Sequence, residues 1–520
     1  MKRTLLTLLV ALVIAVGCGR VVTSATVPTA AQVMQTADSR LSDAAQTRLK
    51  AAIPALSAYL ARVLPSVRLP ALRVGIIGRA GLVYSTGWVH AETTNAAAAR
   101  TPSDATLFRV GSITKTLTAL TALHLRDRGA LQLDVPVATY LPELAGLVYP
   151  SRDSPPITLR HLLSHTSGLP RIGGTPPLLD QGGRGAEEPT LLAALRGLAL
   201  VTAPGSGDQP AYSNLGYAIV GLTIARVTGQ PYRDYVTQAL LRPLQMRSTS
   251  FLPEPSAELA PGYVDDGGSW RAAPATALGA FDAAGGLYSN MEDMAKYVQL
   301  QLQAWPPRSD PEDLSVARGT VRESQLSLGM QRPGASEYGA GWQSLRDEAQ
   351  GWQIEHDGAT LDGYSAFVAM APTRGVGVVI LSNGLSAETT EVVTLGRALL
   401  REALTLSAPA PSAREAQAAM RLLALAQTWS ASAAQAVFTA RFLREVGEPA
   451  LRALLAELEA SRPCQVRFAG EPTEPDGGAF LLACASCTWR VRVSFASSAD
   501  TRLAELVVER TALPPATSAP

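Results

Sequence analysis

Charge imbalance is nearly absent from this chain: 45 lysines and arginines face 44 acids, for a formal net charge of +1 over 520 residues. That balance offers no electrostatic attraction for nucleic acid or for an acidic surface, so neither is expected as a partner. Long apolar runs are scarce too. The only one is Leu5–Val16, and no second run is long enough to cross a bilayer. No internal period marks a repeat protein. Cysteine is limited to 4 residues and histidine to 5. His161 and His165, spaced i and i+4, have the look of half a zinc site. No glutamate follows His161 and no third ligand is evident, so no metal or other cofactor is expected. The G-x-S-x-G turn of alpha/beta-hydrolases does not occur either: Gly363-Tyr364-Ser365 has no second glycine.

What the chain does have is Gly111-Ser112-Ile113-Thr114-Lys115 at the start of an apolar-periodic helix. One helical turn sets the lysine amine beside the serine hydroxyl. Free N–H groups and the positive end of the helix dipole favour an oxyanion there and help lower the lysine pKa. Alone, S-x-x-K is a weak pattern. Further along, Tyr212-Ser213-Asn214 follows the turn-rich Ala203–Asp208 and precedes an apolar helix. In an extended segment Tyr212 and Asn214 point the same way, into one cleft. His356-Asp357-Gly358-Ala359 then precedes two strand-like runs, Tyr364–Met370 and Gly377–Ser382. Gly358 permits close approach to a strand edge, and the Ala359 N–H offers a second oxyanion donor beside that of Ser112.

These elements, in this order, resemble the serine beta-lactamase and penicillin-binding protein superfamily, in its class C beta-lactamase, D-Ala-D-Ala carboxypeptidase and esterase branch. The branch carries S-x-x-K, Y-x-N and K-T-G or H-x-G. Matching flanks are Phe108–Leu120, Ile157–Pro170, Tyr212–Gly229, Ala284–Tyr297 and Tyr364–Gly384, within a resemblance running from about Leu69 to Leu404. It implies an α/β (α+β) fold of transpeptidase type: an antiparallel sheet flanked by helices, plus a helical lobe spanning about Thr116–Pro253. It also implies that Ser112 attacks an acyl carbonyl while Lys115 or the Tyr212 phenolate takes its proton. Asn214 orients Lys115 and His356 completes the site.

One departure bears on substrate. Where relatives place the threonine of K-T-G, whose hydroxyl contacts a substrate carboxylate, this chain has Asp357. An anion facing the cleft there repels a carboxylate; the alternative is that it points into solvent or bonds the backbone. The reading that follows is an esterase or amidase acting on small acyl or D-amino-acid-type substrates. Beta-lactam hydrolysis or D-Ala-D-Ala cleavage of cell-wall peptide stands second, and a catalytically silent wall-binding lipoprotein third.

The N-terminus reads as an export signal. Met1-Lys2-Arg3 is basic, Leu5–Val16 is apolar, and Ala15-Val16-Gly17-Cys18 resembles a bacterial lipobox that would make Cys18 a lipidated residue. The expected organisation is a signal peptide over 1–18, a tether over 19–45, the hydrolase domain over 46–406, a Pro/Ala linker over 407–412 and a C-terminal domain over 413–520. The protein is expected in the periplasm or cell envelope, touching membrane only through its lipid anchor, with plain secretion as the alternative. In the C-terminal domain, helices precede strands at Cys464–Phe468, Phe480–Cys484, Thr488–Phe495 and Leu503–Val508, an α+β order weakly resembling NTF2-like domains. Ser412 with Glu415 and Ser432 with Gln435 read as capping boxes. Packing or homodimerisation is expected of this domain ahead of ligand binding. In an oxidising compartment Cys464 would bridge to Cys484 or Cys487.

Overall fold

The computed structural model describes residues 44–90, 100–172, 185–206, 211–254, 257–312, 316–328, 337–347, 351–386, 390–409, 413–468, 477–484, 487–497 and 500–512. The signal segment with Cys18, most of the tether, and Ser412 lie outside them.

Helix α1 (Ile53–Val63) leads into a hairpin, β1 (Ala71–Gly78) and β2 (Gly81–Val89). Helix α2 (Thr114–Asp127) follows the nucleophile turn, α3 (Leu159–Leu163) and α4 (Asn214–Thr228) build the helical lobe, and α5 (Met291–Gln303) returns to the sheet. The chain then adds β3 (Glu337–Tyr338), β4 (Gln343–Asp347), β5 (Gly351–Thr360), β6 (Tyr364–Ala371) and β7 (Val376–Ser382), and closes the region with α6 (Thr390–Leu406). The seven strands form one sheet in the order β2-β1-β7-β6-β5-β4-β3, antiparallel throughout.

Strands β6 and β7 are buried along their whole length, because the sheet is covered on both faces. Val368, Met370, Val379 and Leu381 pack with α2 and α5, while Phe367, Ala369, Val378 and Ile380 pack with α1 and α6. That is the period-two division of a pleated strand between two cores. A third cluster fills the helical lobe. Helix α2 serves two of them: Leu117 and Leu120 belong to the sheet core and Ala119 and Leu123 to the lobe core. A helix that faces apolar neighbours on all sides sits between lobes, and the nucleophile turn at its start therefore lies on their boundary.

Register decides what is left open near that turn. Strand β4 pairs with β5 only from Gly351 to Glu355, so residues 356–360 keep one free edge. Arg109, in the short strand before the turn, forms a buried ion pair with Asp362 in the β5–β6 turn, N···O 2.6 Å, and also donates to the Thr276 carbonyl at 2.7 Å. This pins the nucleophile segment to the end of the β5–β6 hairpin.

The C-terminal region has its own core, drawn from residues 418–503. Helices α7 (Ala413–Gln427) and α8 (Glu448–Ala460) cover a sequential antiparallel meander of β8 (Cys464–Phe468), β9 (Gly477–Cys484), β10 (Cys487–Phe495) and β11 (Leu503–Ala512). The strands fall where alternation placed them. The cap of the helix at Ala431 is Ser430, which accepts from Ala433 N, rather than Ser432: Ser430 is the residue with extended backbone, which a cap requires. Cys464 and Cys484 are register partners and form a disulfide, while Cys487 is buried nearby.

Because Arg109 and Asp362 are 2% and 0% exposed, deleting one partner leaves a buried charge uncompensated. Asp362→Ala is expected to cost about 3–5 kcal/mol in urea denaturation, and Arg109→Met with Asp362→Leu to recover most of it. A loss under about 1 kcal/mol in the single variant would contradict this account.

Candidate active site

The nucleophile turn is a 3₁₀ turn, Gly111–Ile113, running directly into α2. Gly111 takes φ +52°, the left-handed region that favours glycine. A Cβ on it would lie 2.7 Å from Ala359 N, and one on Gly358 would lie 2.0 Å from the Val110 carbonyl oxygen and 3.2 Å from Ser112 N. Two glycines without side chains thus let the turn and the free edge of β5 meet backbone to backbone. The meeting sets Ser112 N and Ala359 N at one place, with the Ser112 hydroxyl half-buried beside them.

Lys115 is wholly buried. Its Nζ donates to Ser112 Oγ at 3.0 Å and to the Ala284 carbonyl at 2.6 Å. It also stands 4.8 Å from the centre of the Tyr212 ring. Burial, then the positive charge of Arg171, hold the amine well below its ordinary pKa, while Asp357 opposes the shift. The shift favours the neutral amine, the form that accepts a proton. Tyr212 moves the other way. Burial pushes its phenol upward, outweighing its hydrogen bond with Ser112, so the ring stays protonated. Of the two bases left open by the sequence, Lys115 is the one shifted toward its proton-accepting form.

His356 is buried on β5, and burial lowers its pKa to about 4, against the opposing charge of Asp357. Its Nδ1 donates to the Asp357 carbonyl at 2.6 Å, which leaves Nε2 as a buried acceptor without a partner among the described residues. Asp357 is exposed.

Asn214 stands differently from expectation. It is the first residue of α4, capped by Ser213, whose Oγ accepts from Gly216 N at 3.0 Å. Its N–H donates to the Arg171 carbonyl at 2.8 Å. The bond that positions Lys115 goes to the Ala284 carbonyl instead, an atom with no signature in sequence, although the Ala284–Tyr297 stretch marks its neighbourhood.

His165 packs against the site. It is buried, sits at φ +58°, and stacks on Tyr212 with ring centres 4.4 Å apart. Its Nδ1 accepts from Ser213 N at 3.0 Å, so it ties ring and motif together. His161 does something separate: its Nδ1 accepts from Thr158 N in the capping box of α3, which ends before His165. The two histidines do not project from one helix.

The family described as Beta-lactamase matches residues 49–402. The chain belongs to the beta-lactamase family. Among curated relatives of this family member, Beta-lactamase-like protein 2 of Dictyostelium discoideum is 32% identical over 292 residues, covering 55% of this chain and 51% of that protein. The D-alanyl-D-alanine-carboxypeptidase/endopeptidase AmpH of Escherichia coli K12 is 29% identical over 286 residues, covering 52% of this chain and 70% of that one. The match thus takes in about half the length of the first relative. The octameric penicillin-binding protein homologue from Pyrococcus abyssi superposes with a TM-score of 0.56 at 21% identity, covering 88% of this chain and 99% of the other, which shows a shared fold.

Two outcomes follow from the geometry. Gly358→Ala is expected to slow labelling of Ser112 by a fluorophosphonate at least a hundredfold, since its Cβ would collide with backbone; labelling within a few-fold of the wild type would count against the close approach. Lys115 is expected to set the pH dependence. With its folded pKa below 10.5, the labelling rate should rise with pH and level off before free lysine titrates. Unfolded chain binds the extra proton between the two values, so stability also rises with pH across that window. A limb at 10 or above would sink the assignment.

Proposed function

We propose that this chain is an exported active-site serine hydrolase working through an acyl-enzyme, and that its substrates are small acyl or D-amino-acid-type esters or amides. The observation that carries the reading is the buried Lys115 amine 3.0 Å from Ser112 Oγ. In this scheme the amine takes the hydroxyl proton as Oγ attacks the carbonyl carbon. The N–H groups of Ser112 and Ala359 receive the negative charge of the tetrahedral oxygen, an arrangement worth about a hundredfold or more per donor. The Lys115 ammonium then gives its proton to the departing alcohol or amine, with the protonated Tyr212 bonded to Ser112 alongside. Water, deprotonated by the same amine, attacks the acyl carbon; the bond to Ser112 Oγ breaks, Oγ takes the proton back from the ammonium, and the acid is freed.

Asp357, exposed beside this centre, supports an esterase or amidase over an enzyme for carboxylate-bearing substrates. The likeness to AmpH supports the second reading, D-Ala-D-Ala carboxypeptidase or beta-lactamase activity on wall peptide or its mimics. Export rests on Met1–Cys18, with lipidation at Cys18 as the anchor, and no described helix is long and apolar enough to cross a membrane. For the C-terminal unit, packing or self-association is the proposed role.

The test is a parallel assay of the protein without its first 18 residues on a short p-nitrophenyl ester, a chromogenic cephalosporin and a D-Ala-D-Ala peptide, against Ser112→Ala. Ester turnover is expected to dominate and to fall by at least a thousandfold in the variant. Faster release from the cephalosporin or the peptide would move the assignment to the second reading. Failure of all three, with no covalent label on Ser112, would leave a silent binding protein.

A further inference from the structure

The sheet side of the cleft carries a charge that acyl transfer itself does not use. Asp357 lies two residues before Ala359 on the free edge of β5, about 7 Å along the strand from that oxyanion donor. Its main chain is held in the β5–β6 ladder opposite Phe367, and its carbonyl accepts from His356 Nδ1. Its carboxylate is exposed and makes no hydrogen bond or ion pair with another described residue. Arg397 of α6, a cation near enough to interact with it, is already committed: its Nε donates to both oxygens of Glu355 at 3.1 and 3.0 Å, and Nη2 adds a further bond. Arg171, the cation over the Tyr212 ring at 5.0 Å, belongs to the helical lobe. The reacting centre therefore has an arginine on its lobe side and an uncompensated carboxylate on its sheet side. Its charge also acts on Lys115 and Tyr212, in keeping with its position two residues from Ala359 on that edge.

We propose that Asp357 is a specificity-determining residue that receives a substrate ammonium a bond or two from the scissile carbonyl, so that the preferred substrates are esters or amides of amino acids with a free amino group. This rests on the hydrolase reading above and narrows it from acyl substrates in general to cationic ones. One ammonium–carboxylate contact in a surface cleft favours the charged substrate about tenfold over an uncharged isostere.

The experiment compares kcat/KM for the methyl esters of D- and L-alanine with that for methyl isobutyrate, in which a methyl replaces the ammonium. Acid release is followed in the wild type, Asp357→Asn, Asp357→Thr and Ser112→Ala, with fluorophosphonate labelling in parallel. Alanine esters are intrinsically more reactive, so the readout is the ratio of charged to uncharged ester, compared between proteins. The ratio is expected to drop about tenfold in both Asp357 variants. A ratio unchanged or raised overturns the inference and leaves the hydrolase standing. Labelling of Ser112 without turnover of either alanine ester also overturns it. Neither labelling nor Ser112-dependent turnover means the hydrolase reading has failed, and this inference falls with it.

Discussion

Everything at this site depends on one close approach, the meeting of the Gly111–Ser112 turn with the unpaired edge of β5. A strand edge normally presents its N–H groups to water or to another strand. Here β4 ends its pairing at Glu355, and the vacated edge is taken up by the start of a helix. The approach works because neither Gly111 nor Gly358 has a Cβ, and because the Arg109–Asp362 pair ties the two segments together just outside it. Two amide nitrogens from distant parts of the chain end up beside one hydroxyl, held by the sheet and by the helix that joins the lobes. Rigid elements, not loops, set the spacing, as a preorganised charge-binding site requires.

The electrostatics follow from burial more than from any pair of charges. Lys115, Tyr212, His165 and His356 are all shifted towards their neutral forms, with desolvation the first cause in each. A cluster of neutral groups around the hydroxyl is what proton transfer from serine to amine needs, since a charged lysine has no lone pair to offer. The same burial opposes stability. An amine kept neutral below its free pKa gives the unfolded chain a proton-binding advantage, and the apolar packing of α2 must offset it.

Much of this was legible in the residues, unevenly. Ser112, Lys115, Tyr212 and His356 come together as the order of motifs implied, because each motif sits at an element start or strand edge that turn and periodicity signals mark well. The antiparallel sheet and the C-terminal strands were visible through alternation. What could not be read was the alternative partner. Asn214 carries the amide suited to hold a lysine, yet helix α4 begins at Asn214, with Ser213 as its cap, and the holding is done by a main-chain oxygen from another segment. The spacing of His165 from His161 suggests a metal ligand, and only the stacking of its ring on Tyr212 shows where it packs. The exposure of Asp357 likewise depends on where β4 stops, which no local pattern encodes.

The carbonyl of Ala284 has a consequence for how such a site is inherited. A side-chain partner of the lysine would be lost through a single codon change and its loss noticed at once. A peptide oxygen has no codon of its own. Any residue that keeps the backbone in place at 284 presents the same oxygen, so the identity of its side chain says nothing against that role. Surveys that score positions by their side chains are therefore blind to one of the two atoms that hold this amine.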